Sequence, residues 1–184
     1  MDFAQYLKKL EKIYAKHDVE WSAKVGATEA QIAASERKLG FDLDPGLRAA
    51  WSAMDGSDDD IWVFAKPDYL ESYKFLSLKG ALAEREKMRK RASKYANYED
   101  PEPRDKRIRP GWFHDGWLPF ANFGGATLLL ILDMTPAPRG KAGQIIAFTH
   151  DPDSIEYVAA DFGDYLKRSL STIQGDAEEF LQLF

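Results

Sequence analysis

The amino-acid sequence predicts an α+β fold, a single domain in which a mostly antiparallel central sheet of about five to six strands packs against N- and C-terminal helices. Three observations predict it. Capped segments with helical periodicity fill the chain up to Met54, short β-prone runs alternate with turn residues between Ile61 and Ala159, and helical periodicity returns after Asp161. With 184 residues, 45% hydrophobic and 13% aromatic, the chain has the apolar content for one continuous core. No segment repeats at a fixed period, which excludes solenoids and propellers.

Phe3, Tyr6, Leu7, Leu10, Ile13, Tyr14 and His17 recur at steps of three and four, one face of a helix that Asp2 can cap. Thr28 with Gln31 three residues on forms a capping box, and Gly40 closes the helix it opens. Asp44-Pro45 caps the next helix, with Leu47, Ala50, Trp51 and Met54 on one stripe before Asp55-Gly56 stops it. Ile61 to Phe64 and Tyr73 to Leu76 read as strands split by Pro67. Ser77 to about Tyr95 is helical by propensity, with a thin apolar stripe interrupted by Arg85. Residues 97–110, with three prolines and mixed charges, predict an irregular connection.

Trp117 to Phe123 and Ala126 to Leu132 read as a hairpin at the sheet's centre, turned by Gly124-Gly125. Leu128 through Leu132 is apolar at every position, as a strand covered by helices on both faces requires. Gln144 to Thr149 and Ile155 to Ala159 form another hairpin around His150 to Ser154. Asp161 caps a helix with Phe162, Tyr165, Leu166, Leu170 and Ile173 on one face, and Asp176 with Glu179 opens a last helix running to Phe184.

The chemistry the residues exclude is extensive. Absence of Cys removes disulfides, thiolate nucleophiles and Cys-containing zinc sites. HExxH, GxxxxGK[ST], GxSxG and GxGxxG motifs are absent, and His17, His114 and His150 lie far apart, so no catalytic set, metal site or cofactor is expected. Asp55-Gly56-Ser57-Asp58-Asp59-Asp60 resembles a calcium loop only superficially, since Lys66 stands where an EF-hand needs Glu. The N-terminus has no signal-peptide pattern and the longest apolar run is far short of a membrane span, so a cytoplasmic protein without membrane contact is expected.

Charge is polarised along the chain. Lys87, Arg89, Lys90, Arg91 and Lys94 lie within one predicted helix but follow Glu84 and Glu86 and lack interleaved aromatics, which reads as a solvated face rather than a nucleic-acid groove. Asp42 through Glu71 carries eight acids against Arg48 and Lys66, and residues 150–184 again carry eight acids against two bases. Such surface suits capture of a basic partner. The candidate partner-binding residues are Asp55, Asp58, Asp59 and Asp60, the aromatic anchor Trp62, and Trp112 and Trp117 as the next surface.

Gly116-Trp117-Leu118-Pro119-Phe120, Gly124-Gly125, Leu130-Ile131-Leu132-Asp133-Met134-Thr135-Pro136 and Gly140-Lys141-Ala142-Gly143-Gln144-Ile145-Ile146 together resemble the signature of the SUKH superfamily. Residues 27–32 and 44–48 resemble its opening helices, and Val158 to Leu166 its closing strand and helix. The resemblance implies one SUKH-like domain over 1–184, with a core at about 25–170 and the helices at 2–17 and 176–184 as additions. Pro119, Asp133, Pro136, Gly143 and Gln144 are its signature positions, with roles in the fold or in partner contact both open. On the fold side, Trp117 and Pro119 shape the entry to an edge strand, Asp133 caps the loop it begins, and Gln144 satisfies a buried backbone group.

That superfamily contains fungal cell-wall assembly regulators and bacterial immunity proteins. The resemblance implies a non-enzymatic protein that binds and neutralises a cognate toxin, such toxins often being nucleases, with a regulatory or scaffold role in cell-wall synthesis as the alternative.

Overall fold

The computed structural model describes residues 1–184 apart from 96, 97, 99, 101, 102, 124, 126, 183 and 184. Helices α1 (Phe3–Lys16), α2 (Glu29–Leu39) and α3 (Pro45–Ala53) come first. Each begins as its sequence dictates: the Asp2 side chain accepts from Gln5 N–H, Thr28 and Gln31 form a reciprocal capping box, and Asp44 accepts from Gly46 and Leu47 ahead of Pro45. Strands β1 (Phe64–Ala65) and β2 (Ser72–Phe75) lead to α4 (Leu78–Arg91), which tightens into a 3-10 turn over Ala92–Tyr95. Strands β3 (Trp117–Phe123), β4 (Leu128–Asp133), β5 (Gln144–Thr149) and β6 (Ser154–Ala159) follow, and α5 (Phe162–Gly175) and α6 (Ala177–Leu181) complete the chain, capped by Asp161 and Asp176. The six strands form one antiparallel sheet in the order β1-β2-β3-β4-β5-β6.

Strand β4 is buried at every position because the sheet has two cores. Leu128, Leu130 and Leu132 face α1, α2, α3 and α5 with Leu118, Phe120, Ile145 and Ala147. Leu129 and Ile131 face the opposite way with Trp117, Ile146 and Phe148, under Met88, Ile108 and Trp112. The first cover is helical, as expected. The second comes from the end of α4 and from the 103–116 connection; of the predicted irregular stretch over 97–110, residues 97, 99, 101 and 102 lie outside the described residues. In the first core, Phe64 is ringed by Phe3, Tyr6, Phe75, Phe120, Phe162 and Tyr165 at centroid distances of 5.5–6.3 Å.

Three local expectations are corrected. The first strand is Phe64–Ala65 rather than Ile61 to Phe64, because the backbone of residues 62 and 63 turns its outer edge to tyrosine hydroxyls: Tyr14 Oη accepts from Trp62 N–H and donates to Trp62 O, both at 2.9 Å, and Tyr6 Oη donates to Val63 O at 2.6 Å. The second strand of the central hairpin begins at Leu128, paired with Phe123, rather than at Ala126; Gly125 takes φ 71°, and Gly124 and Ala126 lie outside the described residues. Trp117 and Pro119 are not on an edge strand, because β3 stands third in the sheet. Pro119 is accommodated where β3 bulges, the register shifting between Pro119 and Ala121. The predicted end of α6 at Leu183 and Phe184 lies outside the described residues.

The two edges of the sheet are finished differently. Ala65 in β1 donates to Ser169 Oγ at 2.9 Å and accepts from Tyr165 Oη at 3.2 Å, so α5 supplies the partners a seventh strand would have supplied. On β6, Arg168 of α5 donates to Val158 O, and nothing among the described residues bonds the outer backbone of Ile155 or Tyr157.

Candidate functional site

The acidic loop between α3 and β1 is held from three directions. Asp55 Oδ1 accepts from Leu78 N–H at 2.7 Å, which ties the loop to the first turn of α4. Gly56 takes φ 85° with a Cβ position only 2.6 Å from Ser77 N, so any larger residue would push the loop off that helix end. Asp58 accepts from Ser22 Oγ at 2.8 Å and faces Lys24 Nζ at 3.3 Å, and these two partners hold its carboxyl below the usual carboxylate range. Asp59 is fully exposed, with Lys74 Nζ 3.6 Å away, and Asp60 is exposed as well. The loop thus presents two solvated carboxylates on a fixed frame.

Beside it stands an aromatic pair. Trp62 is half-buried, its ring 5.7 Å from that of Phe123, with Lys74 Nζ 5.3 Å from its centroid. A groove of about 430 Å³ separates this pair from Lys24 and Ser77, and Val25, 91% exposed, projects nearby in sequence from Lys24. Apolar surface ringed by charge is the composition of a protein-docking patch.

The other predicted anchors lie elsewhere. Trp117 is fully buried in the second core, its ring 5.0 Å from His114, and so offers no surface to a partner. Trp112 is 9% exposed, stacked on Tyr95 at 4.8 Å under the Arg104 guanidinium. Neither joins the acidic loop. The alternation that put Trp117 on a strand does not say which face meets solvent, which is why sequence reasoning left it as a surface candidate.

The signature residues gather at the opposite end of the sheet. Asp133 and Gln144, paired in register across β4 and β5, are both fully buried. Gln144 Nε2 donates to Asp133 Oδ2 at 2.9 Å and to Arg107 O at 3.0 Å, while Asp133 Oδ1 accepts from Thr135 N–H at 2.9 Å. Burial pushes the Asp133 carboxyl up, against the pull of those donors; the Trp117 indole N–H adds a weaker pull without completing a hydrogen bond. Gly143 N–H donates to Asp133 O at φ 89°, and Pro136 packs against Gly140. This arrangement ties the 103–116 connection to the sheet through the Arg107 carbonyl.

Along α4 the basic run is neutralised locally: Lys87 and Arg91 face Glu84, and Arg89 and Lys90 face Glu86. Among the described residues no group of three His, Asp or Glu side chains stands close enough to hold a metal, and no helix is long and apolar enough to cross a membrane.

Sequence reasoning missed a second groove, of about 490 Å³, along β6. Tyr69, Pro103, Arg104 and Asp105 wall it against Ile155, Glu156 and Tyr157. Lys66, only 4% exposed, reaches Glu156 Oε1 at 2.8 Å and lies 4.4 Å from the Tyr69 centroid. A lysine within an apolar run was the one local signal of this site.

The model of the SMI1 / KNR4 family (SUKH-1) matches residues 26–168. The chain is also 28% identical over 155 residues to the "Cell wall biosynthesis/cell cycle regulator smi1" of Schizosaccharomyces pombe (strain 972 / ATCC 24843), covering 77% of this chain. It spans 30% of the length of that relative. Helix α1, which supplies Phe3, Tyr6, Leu10 and Tyr14 to the first core, lies before the matched segment.

Proposed function

The chain belongs to the SMI1 / KNR4 family (SUKH-1), and from that premise we propose that it is a cytoplasmic immunity protein that neutralises a cognate bacterial toxin by binding it. The observation that carries this reading is the acidic loop: Asp59 and Asp60 stand exposed beside the Trp62–Phe123 pair on a frame fixed by Asp55 and Asp58. Toxins that act on nucleic acid need basic substrate clefts, and a rigid acidic patch with an aromatic anchor complements such a cleft. The protein acts by occupancy and not by turnover. Protection therefore requires one molecule for each toxin, and inhibition titrated with purified protein reaches its end point at equimolar amounts. Protection at a small fraction of equimolar, with altered toxin or substrate accumulating, overturns the reading in favour of an enzyme.

The name of the matched fission-yeast protein favours a second reading, a regulatory or scaffold role in cell-wall synthesis. A toxic polypeptide encoded beside this gene separates the two: its inhibition by this chain supports immunity, and its indifference favours the scaffold.

A further inference from the structure

The two lysine-rich helices of the fold carry their charge differently. In α4, Lys87 and Arg91 face Glu84 while Arg89 and Lys90 face Glu86. In α1, Lys8, Lys9, Lys12 and Lys16 are exposed, and among the described residues none of their ammonium groups meets a carboxylate. At 3.6 residues per turn the four fall within about 100° of the helix circumference, and Lys8, Lys12 and Lys16 run along it over about 12 Å. The opposite face is fixed. Phe3, Tyr6, Leu10 and Tyr14 lie in the first core, and the hydroxyls of Tyr6 and Tyr14 bond the backbone of residues 62 and 63. No demand of the fold accounts for the array. Lys16, in the last turn, suits the helix dipole, but Lys8, Lys9 and Lys12 do not lie there. Like charges four residues apart repel, and Glu11, four residues after Leu7, stands on the far flank of the exposed surface. An anion laid along the stripe relieves that repulsion.

The surroundings define the anion. Beyond the C-terminal end of α1 stand Asp18 and Glu20, both exposed, and the acidic loop, which Tyr14 brings next to the last turn by bonding Trp62, two residues after Asp60. Asp2 stands before the N-terminal end. A polyanion longer than the stripe, such as a nucleic-acid strand, or a broad anionic surface, such as a membrane, meets these carboxylates and is repelled. The exposed residues of α1 also include no aromatic side chain to stack on a base and no large apolar one to enter a bilayer. What fits is a short segment with its own acids at the spacing of the lysines.

We propose that the outer face of α1 docks an acidic helix of a partner protein, one that carries Glu or Asp at every fourth position. Acids so placed repeat at about 6 Å, the repeat of Lys8, Lys12 and Lys16, so the two helices lie side by side with each ammonium facing a carboxylate. A second copy of this chain fits less well, because none of its helices carries acids four residues apart and its exposed Asp59 and Asp60 are neighbours on a loop. The helix lies before the matched segment 26–168, so the surface is no part of the family domain. It is opposite in sign to the acidic loop, and it holds whether or not the chain neutralises a toxin.

The test titrates the full chain, labelled with 15N, at about 20 mM salt with a helical peptide of about 16 residues, rich in Ala and carrying Glu at every fourth position. Two controls accompany it, one with the same Glu residues spread around the helix and one with Lys in their place. Exposed ion pairs are individually weak, so binding is expected with a Kd of about 1 mM, at least about tenfold weaker at about 300 mM salt, with amide shifts confined to α1. The spread peptide should bind at least about threefold more weakly, and the Lys peptide not at all. Lys8→Gln, Lys12→Gln and Lys16→Gln together should abolish binding, and Lys8→Arg, Lys12→Arg and Lys16→Arg together should keep it. Gln and Arg are good helix formers at exposed sites, so both variants fold. No binding at about 10 mM peptide, equal binding of the spread peptide, or binding retained by the Gln variant each overturns the proposal. Tighter binding at the same amides by a ten-nucleotide strand of thymidine, or by phosphatidylserine vesicles, overturns it in favour of a nucleic acid or a membrane. Shifts in α1 on raising protein concentration alone, removed by Asp59→Asn with Asp60→Asn, overturn it in favour of a second copy.

Discussion

Tyr14 Oη lies 2.9 Å from both the N–H and the carbonyl oxygen of Trp62, accepting from one and donating to the other as a paired strand would. The two residues are 48 apart in sequence. Helix α1 is thereby locked across the outer edge of the sheet, and Tyr6, bonded to Val63 O and Ser169, continues the lock toward α5. An aromatic hydroxyl in this role serves two purposes at once, since its ring fills the core while its oxygen satisfies backbone groups that burial would otherwise strand.

Tyr14→Phe keeps the ring and strands both groups of Trp62. It should cost about 1–3 kcal/mol, and Tyr6→Phe a similar amount, because each leaves buried polar atoms without partners. Urea titration of each variant checks this. A loss under about 0.5 kcal/mol for both would mean that the edge is held by apolar packing alone.

The same hydroxyls predict an alkaline limit. Burial raises the pKa of Tyr6, Tyr14, Tyr73 and Tyr165 well above the ordinary tyrosine value. In the unfolded chain these groups ionise near 10. Above that pH the native state binds more protons than the unfolded one, so stability falls as pH rises, by up to about 1.4 kcal/mol per pH unit for each such tyrosine. Unfolding free energy measured between pH 9 and pH 11 should therefore bend downward from about pH 10, and Tyr14→Phe should lessen the slope. A flat profile to pH 11 would contradict the burial of these hydroxyls.

What was legible in the sequence is what is local. Asp2, Thr28, Asp44, Asp161 and Asp176 cap helices within three residues of themselves, and the unbroken apolar run of β4 states that two cores meet there. Strand β1 was misplaced because its limits depend on Tyr14 and on Ser169, 48 and 104 residues away from their backbone partners. For the interaction surface, the acidity of residues 55–60 could be read directly, whereas the burial of Trp117 could not. The groove along β6 was invisible for the same reason: Tyr69, Arg104 and Glu156 come from three separate segments.

Leu130 sits in the central strand with no exposed surface and faces the helical core. Leu130→Ala should cost about 2–5 kcal/mol in denaturant titration, the range for a buried leucine whose site cannot collapse. A loss below about 1 kcal/mol would show that the strand is not central.

Gln144→Glu places a second buried carboxyl against Asp133 and removes the donor to the Arg107 carbonyl. The cost at neutral pH should reach about 3–5 kcal/mol, because two such groups cannot both ionise in one apolar site. Their shared proton is held with a pKa raised above the unfolded value, so the native state gains protons as pH falls and the deficit shrinks from pH 7.5 toward pH 5. An equal loss at both pH values would place the damage in geometry and not in charge. Gln144→Ala, which adds no charge, provides the reference in which Asp133 titrates without a second carboxyl beside it.

The acidic loop gives the prediction that bears most directly on partner binding. Replacing Asp58, Asp59 and Asp60 together by Asn leaves Ser22 an oxygen to donate to and leaves Asp55, the anchor on α4, in place. Folding stability should therefore stay within about 0.5 kcal/mol of the parent, as for solvated positions generally. Rim charges act on encounter, so the association rate with the cognate toxin should fall about 3- to 10-fold at low salt, with a flatter dependence on ionic strength and little change in dissociation. Trp62→Ala should do the opposite, speeding dissociation while leaving the salt slope intact, since an aromatic anchor contributes after contact. Stopped-flow association at 20 and 300 mM salt separates the two effects, 20 mM leaving surface charges unscreened over more than 10 Å and 300 mM screening them within about 6 Å. An unchanged rate and slope in the triple variant, together with unchanged dissociation in Trp62→Ala, would move the binding face away from this loop.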